Sequence, residues 1–368
     1  MRYDIAVVGG GVVGAAVAHR AATMGASVLV LDRSDEGRAT DAGAGIVAPA
    51  VSSMTNRAWH ELAGAAARAY PQLAAELDSV GLDTGYRRVG LLSVGIDDDG
   101  VERFEAFMDR VTARLDRYGH PTGHDVRLVD PDEARRQYPA LGQVRVAAMD
   151  TGAARVDAKP MSVAMLTAAV AAGAEVREAS VDSVHQLLAS QAELVVIAGG
   201  AWSARFGSEL GVEIPVEPQR GQIVHLSVPE SLGDTADWPM LSQLTDQYQV
   251  SWPNGKVAVG ATRETGSGFV IRNSVDGVRE VLDEATMVAP GLRGAAIEEI
   301  RVGVRPLTPD QLPVIGRVPD HPNVILATGH GATGLMTGPY SGRLAADIAL
   351  GEPIGLDLEP FRVNRSYR

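Results

Sequence analysis

Three glycines and one carboxylate near the amino end are spaced for nucleotide chemistry. Gly9, Gly11 and Gly14 form a Gly-x-Gly-x-x-Gly run directly after the apolar stretch Ile5-Ala6-Val7-Val8, and Asp32 follows 18 positions after Gly14. Gly9 permits a tight turn, Gly11 lets the backbone approach a pyrophosphate, and Gly14 lets a helix pack closely on its strand. The free N–H groups at the start of that helix, Val12 and Val13 among its first residues, then face phosphate oxygens. A carboxylate at Asp32 is placed to accept hydrogen bonds from a ribose. This spacing points to a dinucleotide and leaves NAD and FAD both open.

The elements that must hold these residues follow from period and punctuation. Residues 5–8 read as a buried parallel strand, 15–25 as a small-residue helix stopped by Gly25, and 28–31 as a second strand that ends in Asp32. Residues 33–49 are polar and glycine-rich. They are either a flexible connection or a loop lying against a flat ligand, and the Ile46-Val47 border favours the second. Helices are expected at 59–80, 101–118, after the cap Asp130, from about 158 to 172, at 274–288 and at 335–350. Strands are expected at 86–94, 144–149, 173–177, from Val181 and Val184 onward, at 193–198, 212–228 and 324–327. The pair 248–251 and 257–260 reads as a hairpin turned at Pro253-Asn254-Gly255. The strand at 193–198 delivers Ala198-Gly199-Gly200-Ala201-Trp202 at its carboxyl end, where open α/β sheets bind ligands. The last strand, glycine-rich turn and helix repeat the arrangement of the amino end, with a second helix start aimed at a ligand.

Composition bounds the partners. The chain has 368 residues, 45% of them apolar and 21% charged, which suits a globular protein larger than one average domain. A formal net charge of −13 argues against nucleic acid and anionic membrane surfaces as partners. The absence of cysteine excludes disulfides, thiolate metal sites, cysteine nucleophiles and a flavin attached through cysteine sulfur. No apolar run is long enough to span a bilayer, and no charged segment and cleavage site precede the first strand, so a cytoplasmic location is expected.

Six motifs in order carry a family likeness: Gly9-x-Gly11-x-x-Gly14 with Asp32, Thr40-Asp41-Ala42-Gly43-Ala44-Gly45-Ile46, Ala198-Gly199-Gly200-Ala201-Trp202, Arg220-Gly221-Gln222, Gly303-Val304-Arg305-Pro306 and Gly329-His330-Gly331-x-x-Gly334. Together they resemble the flavin-dependent amine oxidoreductases of the D-amino acid oxidase superfamily, which include glycine oxidases, D-amino acid dehydrogenases and sarcosine oxidases. The resemblance covers nearly the whole chain. It implies an α/β fold, with a Rossmann-like FAD-binding domain of three segments (1–80, 145–212 and 300–368). An α+β substrate domain on an antiparallel sheet (81–144 and 213–299) is interleaved with it. FAD would lie with its adenine half along Gly9 to Arg33 and Val181. Ala198, Gly199, Trp202 and Gly303 would also touch it, and Thr40, Ala42, Gly43, Ala44, Gly45 and Ile46 would lie along the isoalloxazine. Gly329, His330, Gly331, Thr333, Gly334, Leu335 and Met336 would face its pyrimidine. The family more often has glutamate at the position of Asp32. Sarcosine oxidase holds its flavin through a cysteine, and with none here FAD would be non-covalent.

On the substrate side the resemblance places a carboxylate-binding arginine at Arg305, and arginine offers the bidentate fork that a carboxylate needs. A structural ion pair at a strand end is the plainer use. Tyr248 falls where a tyrosine hydroxyl meets that carboxylate in glycine oxidase, or is a core tyrosine. Arg220 is either a second carboxylate contact or a brace for the sheet. His330 lies beside the flavin in the family pattern, where it polarises the ring or satisfies backbone groups. Ala332 replaces an arginine of glycine oxidase, which makes a glycine-specific enzyme less certain. The expected reaction is oxidative deamination of a D-amino acid or glycine. The α-hydrogen leaves as hydride to flavin N5, the imine hydrolyses to an oxo acid and ammonia, and dioxygen or another acceptor takes the electrons. The alternatives are oxidation of N-methyl or secondary amino acids or of 2-hydroxy acids, a flavin-binding subunit without turnover, and an NAD-dependent dehydrogenase.

Overall fold

In a computed structural model of the protein, which describes residues 2–367, six strands form a sheet in the order Val314–Val318, His321–Thr328, Ala192–Ile197, Tyr3–Val8, Val28–Asp32 and Glu175–Glu178. Five run parallel and only Val314–Val318 is antiparallel to its neighbour. The central strands are the apolar runs of the sequence. Ile5, Val7, Val30, Val195 and Ile197 are all buried, as they must be when helices cover both faces of a parallel sheet. Helix Val12–Thr23 packs on the sheet and against helices Ala158–Ala171 and Gly334–Leu350. All the strand ends that follow glycine-rich turns point to one edge.

A second, nine-stranded and mostly antiparallel sheet stands beside the first. Its order is Glu264–Thr265, Glu217–Ser227, Lys256–Gly260, Tyr248–Trp252, Met240–Ser242, Leu91–Gly95, Val146–Asp150 and Val126–Val129. Strand Ala296–Leu307 runs antiparallel along Glu217–Ser227. Asn254 and Gly255 take φ of 63° and 72°, which gives the hairpin Tyr248–Trp252 and Lys256–Gly260 its turn. Helix Val275–Val288, capped by Ser274, covers the back of this sheet.

Three stretches differ from expectation. The run 86–94 is two strands, Arg87–Arg88 and Leu91–Gly95, because Gly90 breaks it at φ +79°. Residues from Val184 onward form the helix Val184–Ser190 and not a strand. Ser183 accepts from the Gln186 amide at 3.1 Å, and Val184 and Leu187 bury at helical spacing. By hydrogen bonding, residues 146–150 and 300–307, expected with the nucleotide-binding part, lie in the second sheet.

Candidate active site

The carboxyl ends of the parallel strands and one face of the second sheet enclose a cleft. At its amino-terminal end the chain leaves Val8 through Gly9 at φ +107°, and a Cβ there would stand 2.6 Å from the Ala198 carbonyl oxygen. A Cβ on Gly14 would collide with the Gly9 carbonyl, so the first helix seats directly on the two strands. Val12 N–H donates to the Thr40 hydroxyl at 3.0 Å. The Asp32 carboxylate accepts from the amides of Gly10 and Ser34, the latter at 2.5 Å, and from Arg38 at 3.4 Å. It therefore fixes the glycine turn as well as lining the cleft. Arg33, Val181, Ala198, Gly199 and Trp202 line the same end. Arg38 and Arg205 join them without having been singled out. Arg38 pairs with Asp41 at 2.9 Å, and Arg205 donates to the Val181 carbonyl.

Along the middle run Ala42, Gly43, Ala44, Gly45 and Ile46, backed by Gly303, where a Cβ would come within 2.7 Å of Ala42 Cβ. The Val304 amide donates to the Gly37 carbonyl at 2.9 Å, tying this loop to the second sheet. Opposite lie His330, Gly331, Gly334 and Leu335, at the start of helix Gly334–Leu350. His330 is 2% exposed and its Nε2 has no hydrogen-bond partner. Burial lowers its pKa to about 4, so the imidazole is neutral at ordinary pH. Gly14, Gly329, Thr333 and Met336 do not line the cleft. Thr333 accepts from Trp59 Nε1 at 3.3 Å and donates to the His330 carbonyl at 3.1 Å, bracing the turn from behind, and Met336 packs in the core.

The remaining wall is a patch of the second sheet whose register decides what faces the cleft. Tyr248 pairs with Gly260, Gly260 with Ile223, Gly221 with Gly303, and Gln219 with Arg305. Alternation puts Tyr248, Ile223, Gly221, Gly303 and Arg305 on one face. The Arg305 guanidinium lies over Gly221, where a Cβ would fall 2.5 Å from its central carbon, and Nη1 donates to the Thr262 carbonyl at 2.9 Å. Among the described residues no carboxylate lies within ion-pair distance of Arg305. Burial lowers the pKa of this guanidinium, and burial also raises that of Tyr248, an effect that the facing Arg305 opposes. Arg220, one residue from Gly221, points to the other face. It pairs with Glu264 at 3.0 Å through Nε and does not line the cleft, so of its two possible uses the second carboxylate contact does not form there. Gly221 is the residue of that motif which shapes the site.

A flat, two-ended molecule suits this cleft. One end offers a helix start, the Asp32 carboxylate and bare glycine backbone, and the middle offers a small-residue wall, with His330 also lining the cleft. The model of the family "DAO: FAD dependent oxidoreductase" matches residues 4–348. The chain belongs to this family. It is an FAD-dependent oxidoreductase by family. It is 36% identical to the uncharacterized oxidoreductase YurR of Bacillus subtilis, covering 96% of this chain and 97% of the relative. It is 30% identical to glycine oxidase of Geobacillus kaustophilus, covering 99% and 97%. The crystal structure of glycine oxidase from Geobacillus kaustophilus superposes with a TM-score of 0.89 at 28% identity over 99% of both chains. That of iminodiacetate oxidase from Chelativorans sp. BNC1 superposes with a TM-score of 0.89 at 33% identity over 98% of both. The family fold, a parallel FAD-binding sheet beside a mostly antiparallel substrate sheet, is the one described above. Among the described residues no helix is long and apolar enough to cross a membrane, and no cluster of three or more His, Asp or Glu side chains is placed to hold a metal.

Proposed function

We propose that this DAO-family enzyme oxidises the carbon–nitrogen bond of a small amino acid anchored by its carboxylate. One observation carries the reading: a half-buried guanidinium, Arg305, lines the cleft with no carboxylate of the described residues within ion-pair distance. A half-buried cation without a counter-charge is costly, and a substrate carboxylate removes that cost. Tyr248, on the same face, offers its hydroxyl to the second carboxylate oxygen. Arg305 and Tyr248 thus fix one end of the substrate and turn its α-carbon toward the wall formed by Ala44, Gly45 and Ile46. FAD bound along that wall, with no cysteine in the chain to tether it, supplies the hydride acceptor. The rest is positioning by the protein. His330, neutral and buried, does not serve as a charged acid. The imine product needs only water to hydrolyse.

A second reading, oxidation of a secondary amino acid, is favoured by Ala332. It lines the cleft with a methyl group, so no large side chain at 332 takes up the room an N-substituent needs. The likeness to iminodiacetate oxidase supports the same reading. Steady-state turnover of glycine, D-alanine, sarcosine and iminodiacetate, each beside its carboxylate-free amine, tests both readings. Turnover of the acids and not of the amines is expected. Equal turnover of methylamine and glycine would remove the carboxylate anchor, and preference for sarcosine or iminodiacetate would select the secondary amine. Peroxide formed per turnover reports whether dioxygen is the acceptor.

A further inference from the structure

Residues 266–273 leave the second sheet after Glu264–Thr265 and return to it at the cap Ser274. They carry two apolar side chains with little cover. Phe269 and Val270 are 46% and 47% exposed. The Phe269 ring nevertheless stacks on Trp202, with centroids 5.0 Å apart and planes at 29°, and Trp202 lines the nucleotide end of the cleft. Two residues on, Ile271 occupies the space left by the absent side chain of Gly37, beside the cleft-lining Arg38. The segment therefore bridges the two walls of that end, one following strand Ala192–Ile197 and the other following Val28–Asp32.

Its ends differ in freedom. Gly266 and Gly268 take φ of +77° and +60° with open space where a side chain would stand, so the chain pivots there without a clash. The foot is fixed. Arg220 pairs with Glu264 and donates to the Val270 carbonyl at 3.3 Å. Gln222 donates to Glu264 at 2.7 Å and accepts from the Ser274 amide at 2.9 Å. Swinging the segment outward breaks the aromatic stack, the Ile271–Gly37 packing, the Ser267–Glu264 hydrogen bond and the Arg220–Val270 bond, and leaves every strand pair of the two sheets intact.

We propose that residues 266–271 are a strap that retains the nucleotide half of FAD, with Phe269 on Trp202 as its clasp and Arg220, through Glu264 and Val270, as the positioning residue that anchors it. The proposal rests on FAD occupying this cleft. Its test is FAD release from the holoenzyme after dilution, followed by the rise of free-flavin fluorescence. Loss of the aromatic stack in Phe269→Ala is expected to speed release about three- to tenfold, and Phe269→Tyr, which keeps a stacking ring, to restore the wild-type rate. Arg220→Gln is expected to speed release and Arg220→Lys to recover part of it. The half-exposed Phe269 ring adds little to the fold, so the apoprotein of Phe269→Ala is expected to melt with wild-type apoprotein. Wild-type release rates in both Phe269→Ala and Arg220→Gln would overturn the strap while leaving FAD binding intact. Faster release from Phe269→Ala accompanied by an equal loss of apoprotein stability would overturn it too, by making the ring merely structural. A wild-type protein that takes up no FAD would overturn the cofactor assignment and the strap together.

Discussion

At the scale of single residues the account turns on charge and burial. Replacing Arg305 by alanine removes a charge-assisted pair with the substrate carboxylate. Such bonds contribute about 1.5–3 kcal/mol, so KM is expected to rise roughly 10- to 100-fold, measured by steady-state kinetics at saturating FAD. A rise equal for acids and for their carboxylate-free amines would contradict the assignment. His330 makes a separate prediction about pH. Its folded pKa, about 4, lies below that of the unfolded chain, so the unfolded state binds the extra proton first. Its contribution is whole above pH ~6.5 and is lost as pH falls toward 4, to the extent of roughly 3 kcal/mol. Melting curves of wild type and His330→Asn are expected to diverge in pH dependence across that window, the wild type losing more stability on acidification. Parallel curves would mean that the imidazole is not held neutral by burial. Arg305 was legible in the sequence through its place in Gly-x-Arg-Pro. The exchange of roles between Arg220 and Gly221 was not, because which of two adjacent strand residues faces a cleft depends on register across partners far away in sequence.

At the scale of elements, the antiparallel pairing of Glu217–Ser227 with Ala296–Leu307 builds the cleft wall that carries Arg305, and Gly221 is where it is most sensitive. A Cβ there displaces the end of a flexible arginine and not the backbone. Gly221→Ala is therefore expected to fold and to bind FAD as wild type does, yet to raise KM for amino acids by about tenfold or more by moving Arg305 off its line. Loss of flavin from this variant would show that Gly221 serves the cofactor. The nucleotide-binding strand, turn and helix were legible because their requirements are local: bare backbone at three glycines and an apolar run on either side. The helix Val184–Ser190 shows what was missed. Its Ser183 cap with Gln186 three residues on was present in the sequence, but two valines suggested a strand, and capping prevailed.

At the scale of the whole molecule, the cleft joins parts of the chain that are distant in sequence. The cleft is lined from Val8 near one terminus to Leu335 near the other, and by both sheets. A ligand bound only to the folded state at a hundredfold excess over Kd adds about 2.7 kcal/mol, so saturating FAD is expected to raise the melting temperature by about 3–4 °C. Acid precipitation is expected to release all of the flavin, since the chain has no cysteine to hold it. Flavin retained in the pellet would contradict non-covalent binding. The three strands of the parallel sheet that run into glycine-rich turns were visible in the sequence because each carries its own turn. The allocation of 146–150 and 300–307 to the second sheet was not, since strand partners leave no local mark.

The most direct test of the carboxylate-anchored oxidation is anaerobic mixing of the FAD-loaded protein with glycine, D-alanine, sarcosine and iminodiacetate, following the visible flavin absorbance. Bleaching by at least one of these acids, absent with the matching carboxylate-free amine and slowed at least about tenfold at fixed substrate in Arg305→Ala, is the predicted result. Flavin that stays oxidised with every acid, or that bleaches equally well in Arg305→Ala, would contradict it.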